Sequence, residues 1–174
     1  MVNGRTNSNK RNLVPRAQGL TAMDAAVLEK SKTETPDERG NFFSHVKEGD
    51  TPFKLGGLRD FFEYRDLGVA KATGGKVIAH LVRANSPPDG GTGWHKHIAD
   101  FQIVIMTRGW AKFMYEDKVT LVEAGDCVHQ RPGITHYLFD YSKDMEYLEI
   151  VGPADFGTVE EAPTAHVPPT TPWE

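Results

Sequence analysis

From Phe42 onward, aromatic and β-branched residues come in short bursts, each cut off by Gly, Pro or Asp, and no stretch keeps a helical period. The bursts cover residues 61–65, 76–82, 101–107, 110–115, 119–122, 126–130, 137–139 and 147–151. Segments this short cannot each bury a face alone, and with turns between them they have to pair into sheets. The spacing therefore predicts an all-β sandwich or barrel of eight strands. Sheet order cannot be read at this level, but face can. In the run 102–107, Gln102, Val104 and Met106 share one side while Ile103, Ile105 and Thr107 share the other, so both faces need cover. One face looks into the sandwich. The other needs the N-terminal segment or a second subunit, and a homodimer packed sheet to sheet is the expectation.

The chain of 174 residues is long enough for one such core, with a hydrophobic fraction of 39%. Residues 1–40 are poor in aromatics and read as a flexible or partly helical extension, with one marginal helix over 21–32. Residues 41–155 form the barrel. Residues 156–174 form a Pro-rich tail that cannot be a central strand, in which Trp173 is either tethered or free. Twenty Lys and Arg against 24 Asp and Glu give a net charge of -4, which lacks the basic footprint of a nucleic-acid binder. No apolar run suits a membrane span or a signal peptide, and the single cysteine, Cys127, fits a reducing compartment, so a cytoplasmic location is expected.

Four of the seven histidines fall between positions 95 and 136. His95 and His97 are two apart, which on an extended chain sends both imidazoles to one side, a pairing able to hold a divalent metal. By itself an HxH pair is a weak signal. Here it is preceded by Gly91 and followed by Gln102 and Gly109, then by Gly125, Gly133 and His136. Over residues 60–155 this order resembles the two spaced motifs of the cupin superfamily. Arg131 stands where the second motif has Pro, Pro132 follows one place on, and Asp140 occupies a position that is often Asn.

The resemblance implies a cupin-type jelly-roll with irregular N- and C-terminal extensions, and a metal held inside it by His95, His97, Gln102 and His136. The metal would be a divalent transition ion (Fe, Ni, Co, Cu, Zn or Mn). Gln102 replaces the usual Glu. Three imidazoles and an amide leave the ion's charge uncompensated, which disfavours Mg²⁺ and Ca²⁺ and makes the bound ion a stronger Lewis acid toward anionic chelating ligands. Gln102 is either a ligand or a hydrogen-bond partner of a ligand or water. The implied function is a metal-dependent enzyme acting on a small anionic chelating substrate, by dioxygenase-type cleavage or by isomerisation or cyclisation through an enolate. The alternative is a non-catalytic module that binds a metal or small ligand.

Other polar residues carry weaker signals. His129 is expected partly buried or outward, Asp100 in a solvent-facing turn, Arg108 exposed, and Tyr137 pointing away from the metal. Glu149, alone among apolar neighbours, is either an inward carboxylate with a raised pKa or a surface group, the second being favoured. Cys127 is expected to be buried and inert. Trp94, Phe101, Phe113 and Tyr115 are core residues first and pocket lining second, and His45, His80 and His166 receive no role.

Overall fold

The computed structural model describes residues 35–173; the helix expected over 21–32 lies outside them. Ten strands follow in order: β1 (Phe62–Asp66), β2 (Ile78–Ala84), β3 (His95–Ile98), β4 (Phe101–Arg108), β5 (Trp110–Tyr115), β6 (Lys118–Glu123), β7 (Cys127–Gln130), β8 (His136–Tyr141), β9 (Glu146–Gly152) and β10 (Gly157–Glu160). One four-residue helical turn, α1 (Val69–Ala72), sits between β1 and β2. The strands form two five-stranded sheets, ordered β1-β2-β9-β4-β7 and β10-β3-β8-β5-β6. Every strand pair is antiparallel. This is the all-β sandwich expected from the punctuation of the sequence, with the jelly-roll architecture that the resemblance implies.

Alternation builds the core. In β4, Gln102, Val104 and Met106 are buried while Ile103 and Ile105 are only partly covered and Thr107 is exposed. Val104 and Met106 meet Phe62, Val82, Phe113, Leu138 and Tyr141 between the sheets. Strand β8 departs from strict alternation. Its register against β5 slips between Lys112 and Phe113, where Lys112 pairs with Asp140 but Phe113 with Leu138, so Phe139 is the extra residue of a bulge. Leu138 and Tyr141 therefore both reach the inner core, three positions apart. Phe139 turns outward to Trp94 and Met114, against Ala165 and Val167 of the C-terminal segment.

Two strands add to the eight expected. β3 carries the HxH pair, and β10 lies past residue 155, inside the segment read as tail. β10 is an edge strand on β3, a place compatible with the prolines that follow it. The rest of the tail is tethered. Thr171 donates its backbone N–H to Asp140 Oδ1 (2.9 Å) and its hydroxyl to Oδ2 (2.8 Å). Trp173 Nε1 donates to the Tyr141 carbonyl at 2.9 Å. Asp140 is fully buried and is paired with Lys112 Nζ at 2.8 Å. Cys127 corrects the expectation of burial: it is exposed, because it pairs with Ile105 on the outward parity of β7 while Gln130 turns inward.

Asp140 is the buried end of a pair whose Lys112 side chain is 32% exposed, so removing the carboxylate forfeits the hydrogen bonds it accepts from Lys112 and Thr171 and strands no buried charge. Asp140→Ala should lower unfolding free energy by about 2–4 kcal/mol and free the tail. Chemical denaturation and limited proteolysis of residues 161–174 check both effects, and unchanged stability with a protected tail would contradict the tether.

Candidate metal centre

One end of the sandwich interior is polar. Strands β3 and β8 of the second sheet bring in three imidazoles, with His95 directly opposite His136 in the register. His97 follows on the same face. Ring centroids lie 4.2 Å apart for His95 and His136, 4.9 Å for His95 and His97, and 5.0 Å for His97 and His136. One ligand nitrogen from each falls within 4.8 Å of the others, and all three residues are buried. Gly91 allows this approach. Its φ is +57°, and a Cβ there would stand 2.5 Å from the Tyr137 ring and 2.6 Å from the Leu138 carbonyl, so only Gly lets the chain run this close to β8 before it enters β3.

Hydrogen bonds decide which nitrogen faces inward. His95 Nδ1 lies 2.8 Å from the Gly93 carbonyl and His136 Nδ1 3.0 Å from the Ile134 carbonyl. A carbonyl only accepts, so both rings carry the proton on Nδ1 and present a bare Nε2. His97 Nδ1 is held by the Thr158 hydroxyl of β10 at 2.9 Å. The set suits a cation: three neutral donors, each oriented from behind. Gln130 Nε2 meets His136 Nε2 at 3.3 Å, a long contact that a cation would replace, while Tyr115 donates its hydroxyl to Gln130 Oε1 at 2.8 Å.

Gln102 faces the same cavity from the opposite sheet. The chain changes sheets at Ala99-Asp100, between β3 and β4, which supplies the bend needed by the odd offset from His97. Gln102 Nε2 donates to Glu149 Oε1 at 2.7 Å, so its amide oxygen points away from Glu149. Glu149 corrects the favoured surface placement. It faces inward with Tyr147 and Val151, and its other oxygen lies 2.5 Å from His80 Nε2. Its pKa is lowered and not raised: burial pushes it up, but the hydrogen bond and charge of His80, with Gln102 and His97, outweigh that.

His80 had no role in the sequence, yet it pairs with Glu149 across β2 and β9 and lines the cavity. Its signal was its shared parity with Val82, which only the register makes legible. The remaining expectations are met for His129, Asp100 and Arg108, all exposed, and for Tyr137, which packs against Trp94 on the far side of the sheet. Of the aromatics, Phe113 lines the cavity, whereas Trp94 belongs to the outer cluster. The cavity holds about 220 Å³ and is walled also by Phe62, Tyr64, Tyr147 and Phe156. Burial pushes the Tyr64 phenol up to about 12.

Burial, reinforced by mutual repulsion, pushes each of the three imidazoles down to about 4. At neutral pH they are already deprotonated, so cation binding should release almost no protons. Affinity for Co²⁺ or Zn²⁺ should be flat between about pH 6 and 8 and fall as pH approaches the folded values near 4. Calorimetry in buffers of different ionisation enthalpy measures this. The chelator-treated protein follows the same linkage: unfolded imidazoles near 6.5 take up protons first, so the stability contribution is complete above about 6.5 and is lost as pH falls toward 4. A melting temperature that rose on acidification over that window would contradict it.

Comparison with known proteins agrees with this architecture. Residues 82–151 match the family model "Cupin domain". No curated protein matches the chain by sequence. Among solved structures, a sugar phosphate isomerase from a cupin superfamily of Silicibacter pomeroyi aligns with 16% identity and a TM-score of 0.55, over 67% of this chain and 81% of its own. The polyketide cyclase RemF of Streptomyces resistomycificus aligns with 13% identity and a TM-score of 0.54, over 66% and 82%. KdgF from a Halomonas species aligns with 15% identity and a TM-score of 0.53, over 63% and 94%. At these identities the likeness concerns the fold. The family match runs from β2 to β9, so residues 82–151 match a cupin domain and the two-sheet topology built around them agrees with it.

Proposed function

We propose that this protein is a metal-dependent enzyme acting on a small anionic chelating substrate. In this reading a divalent transition ion is held by Nε2 of His95, His97 and His136, with Gln102 Oε1 as a fourth donor. The observation that carries it is the convergence of three buried imidazoles whose Nδ1 atoms are already engaged, which leaves their Nε2 atoms within reach of one cation. Of the three Nε2 atoms only that of His136 has a protein partner, the long contact from Gln130, and a cation would satisfy all three at once. When bound, the ion supplies Lewis-acid polarisation of a substrate oxygen. The chain's own residues do the rest. Glu149 fixes the Gln102 amide, Thr158 and two carbonyls fix the rings, and the aromatic wall limits water.

Two reaction classes suit such a centre: O₂-dependent cleavage of a dicarbonyl, and redox-neutral isomerisation or cyclisation. The isomerase and the cyclase among the similar folds lend support to the second. A homodimer, packed on the outer face where Leu81, Ile103, Ile105, Leu148 and Ile150 are only partly covered, belongs to the same proposal and is checked by the mass in solution.

Protein purified without chelator should contain close to one transition ion per chain, and a His95→Ala, His136→Ala double variant should contain none. The loaded protein is then offered 1,2- and 1,3-dicarbonyls, with oxygen uptake reporting cleavage and α-proton exchange into D₂O reporting the redox-neutral class. Metal bound with neither response would make the protein a binding module. A Gln102→Glu, Glu149→Gln double variant should tighten Co²⁺ binding by about tenfold or more, since it supplies a ligand carboxylate while keeping an amide and a carboxylate paired between positions 102 and 149. Unchanged affinity would place residue 102 outside the coordination shell.

A further inference from the structure

Arg59, on the loop that precedes β1, lines the same cavity as His95, His97 and His136. Its Nε–H is buried and has no acceptor. Among the described residues no carboxylate pairs with its guanidinium. An arginine cannot shed its charge to relieve this, and a buried donor left unmade forfeits the hydration it had in the unfolded chain. Glu149 is the one carboxylate in the cavity wall, and both its oxygens are taken, by His80 and by Gln102. The field of Arg59 reaches all three imidazoles.

The placement of Arg59 is built in. Gly57 lies flat on the Tyr64 ring, where a Cβ would stand 2.2 Å from Cδ2, so the loop is held against β1. The Arg59 carbonyl accepts from the Phe62 N–H at 3.2 Å, fixing the turn into the strand.

We infer that Arg59 is the anchor for a second anionic group of the ligand, a carboxylate or phosphoryl oxyanion at the end remote from the three imidazoles. The inference deepens the proposed function and rests on its reading of the cavity as a ligand site. The substrate class narrows to acids that chelate at one end and carry an oxyanion at the other, joined by a short apolar body that lies along Leu58, Phe62, Phe113 and Leu138. A guanidinium fork matches either oxyanion with paired N–H donors, which a neutral amide cannot reproduce.

Three probes of similar length separate the possibilities: succinate, 3-phosphonopropionate, and succinamate, whose remote end is uncharged. With Co²⁺-loaded protein, calorimetry should find succinate or 3-phosphonopropionate bound about 10- to 100-fold more tightly than succinamate, and the better of the two identifies the oxyanion. Arg59→Met should abolish that preference without weakening Co²⁺ binding, since it removes a positive charge whose field reaches the imidazoles, and Arg59→Lys should keep part of the preference. In metal-free protein the Arg59 Nε–H resonance, assigned by its loss in Arg59→Lys, should move with the same acid and not with succinamate. That readout needs no ion, so failure of Co²⁺ to bind overturns the metal reading and leaves this one testable. Equal or undetectable binding of all three acids, or a preference that survives Arg59→Met, overturns the anchor.

Discussion

A sandwich interior has no water to spare, and this one contains four imidazoles, two carboxamides and a carboxylate at one end. Each must be satisfied from within, because a buried polar group without a partner costs roughly 1–3 kcal/mol. The arrangement follows from that demand. Gln102, Glu149 and His80 form a chain across β4, β9 and β2, and Tyr115 and Gln130 form another that ends on His136. Backbone carbonyls two residues before His95 and His136 take the Nδ1 protons. What the protein leaves open is as informative: the Arg59 Nε–H has no acceptor, and of the three Nε2 atoms only that of His136 has a protein partner, the long contact from Gln130.

The two sheets divide the work. The second sheet supplies the imidazoles from adjacent strands, whose register puts His95 against His136 and His97 against Thr158. The first sheet supplies the amide and carboxylate that face them. The C-terminal segment joins the two tasks. Its strand β10 orients His97, its Ala165 and Val167 cover the outer face at Trp94 and Phe139, and Thr171 and Trp173 close over Asp140 and Tyr141. A tail rich in proline is thereby part of the site's support, because an edge strand and a hydrogen-bonded strap need few backbone donors of their own.

Much of this was legible in the residues. Alternation in 102–107 put Gln102 on the buried side of β4, and the i, i+2 spacing put His95 and His97 on one face. The resemblance to the cupin motifs added His136 and the jelly-roll. Other parts were not. Glu149 looked like a surface group because a lone acid on a strand usually is, and its inward face depended on His80 standing opposite at hydrogen-bonding distance. Cys127 looked buried because its neighbours are apolar, but it sits on the outward parity of an edge strand. Arg59 gave no signal at all, since nothing in a loop's sequence says which cavity it will border.

Sequence by itself determined that the chain makes short paired strands, the inward side of β4, and the residue types that make a metal-binding cluster possible, because these depend on periodicity and chemistry within a few residues. Tertiary structure decided which partners those side chains meet: the sheet change at Ala99-Asp100, the bulge at Phe139, the His80–Glu149–Gln102 chain and the unpaired Arg59. The reason is that a hydrogen bond or a charge pair is set by distance across sheets, between residues up to 69 positions apart in the case of His80 and Glu149, and register alone brings such positions together.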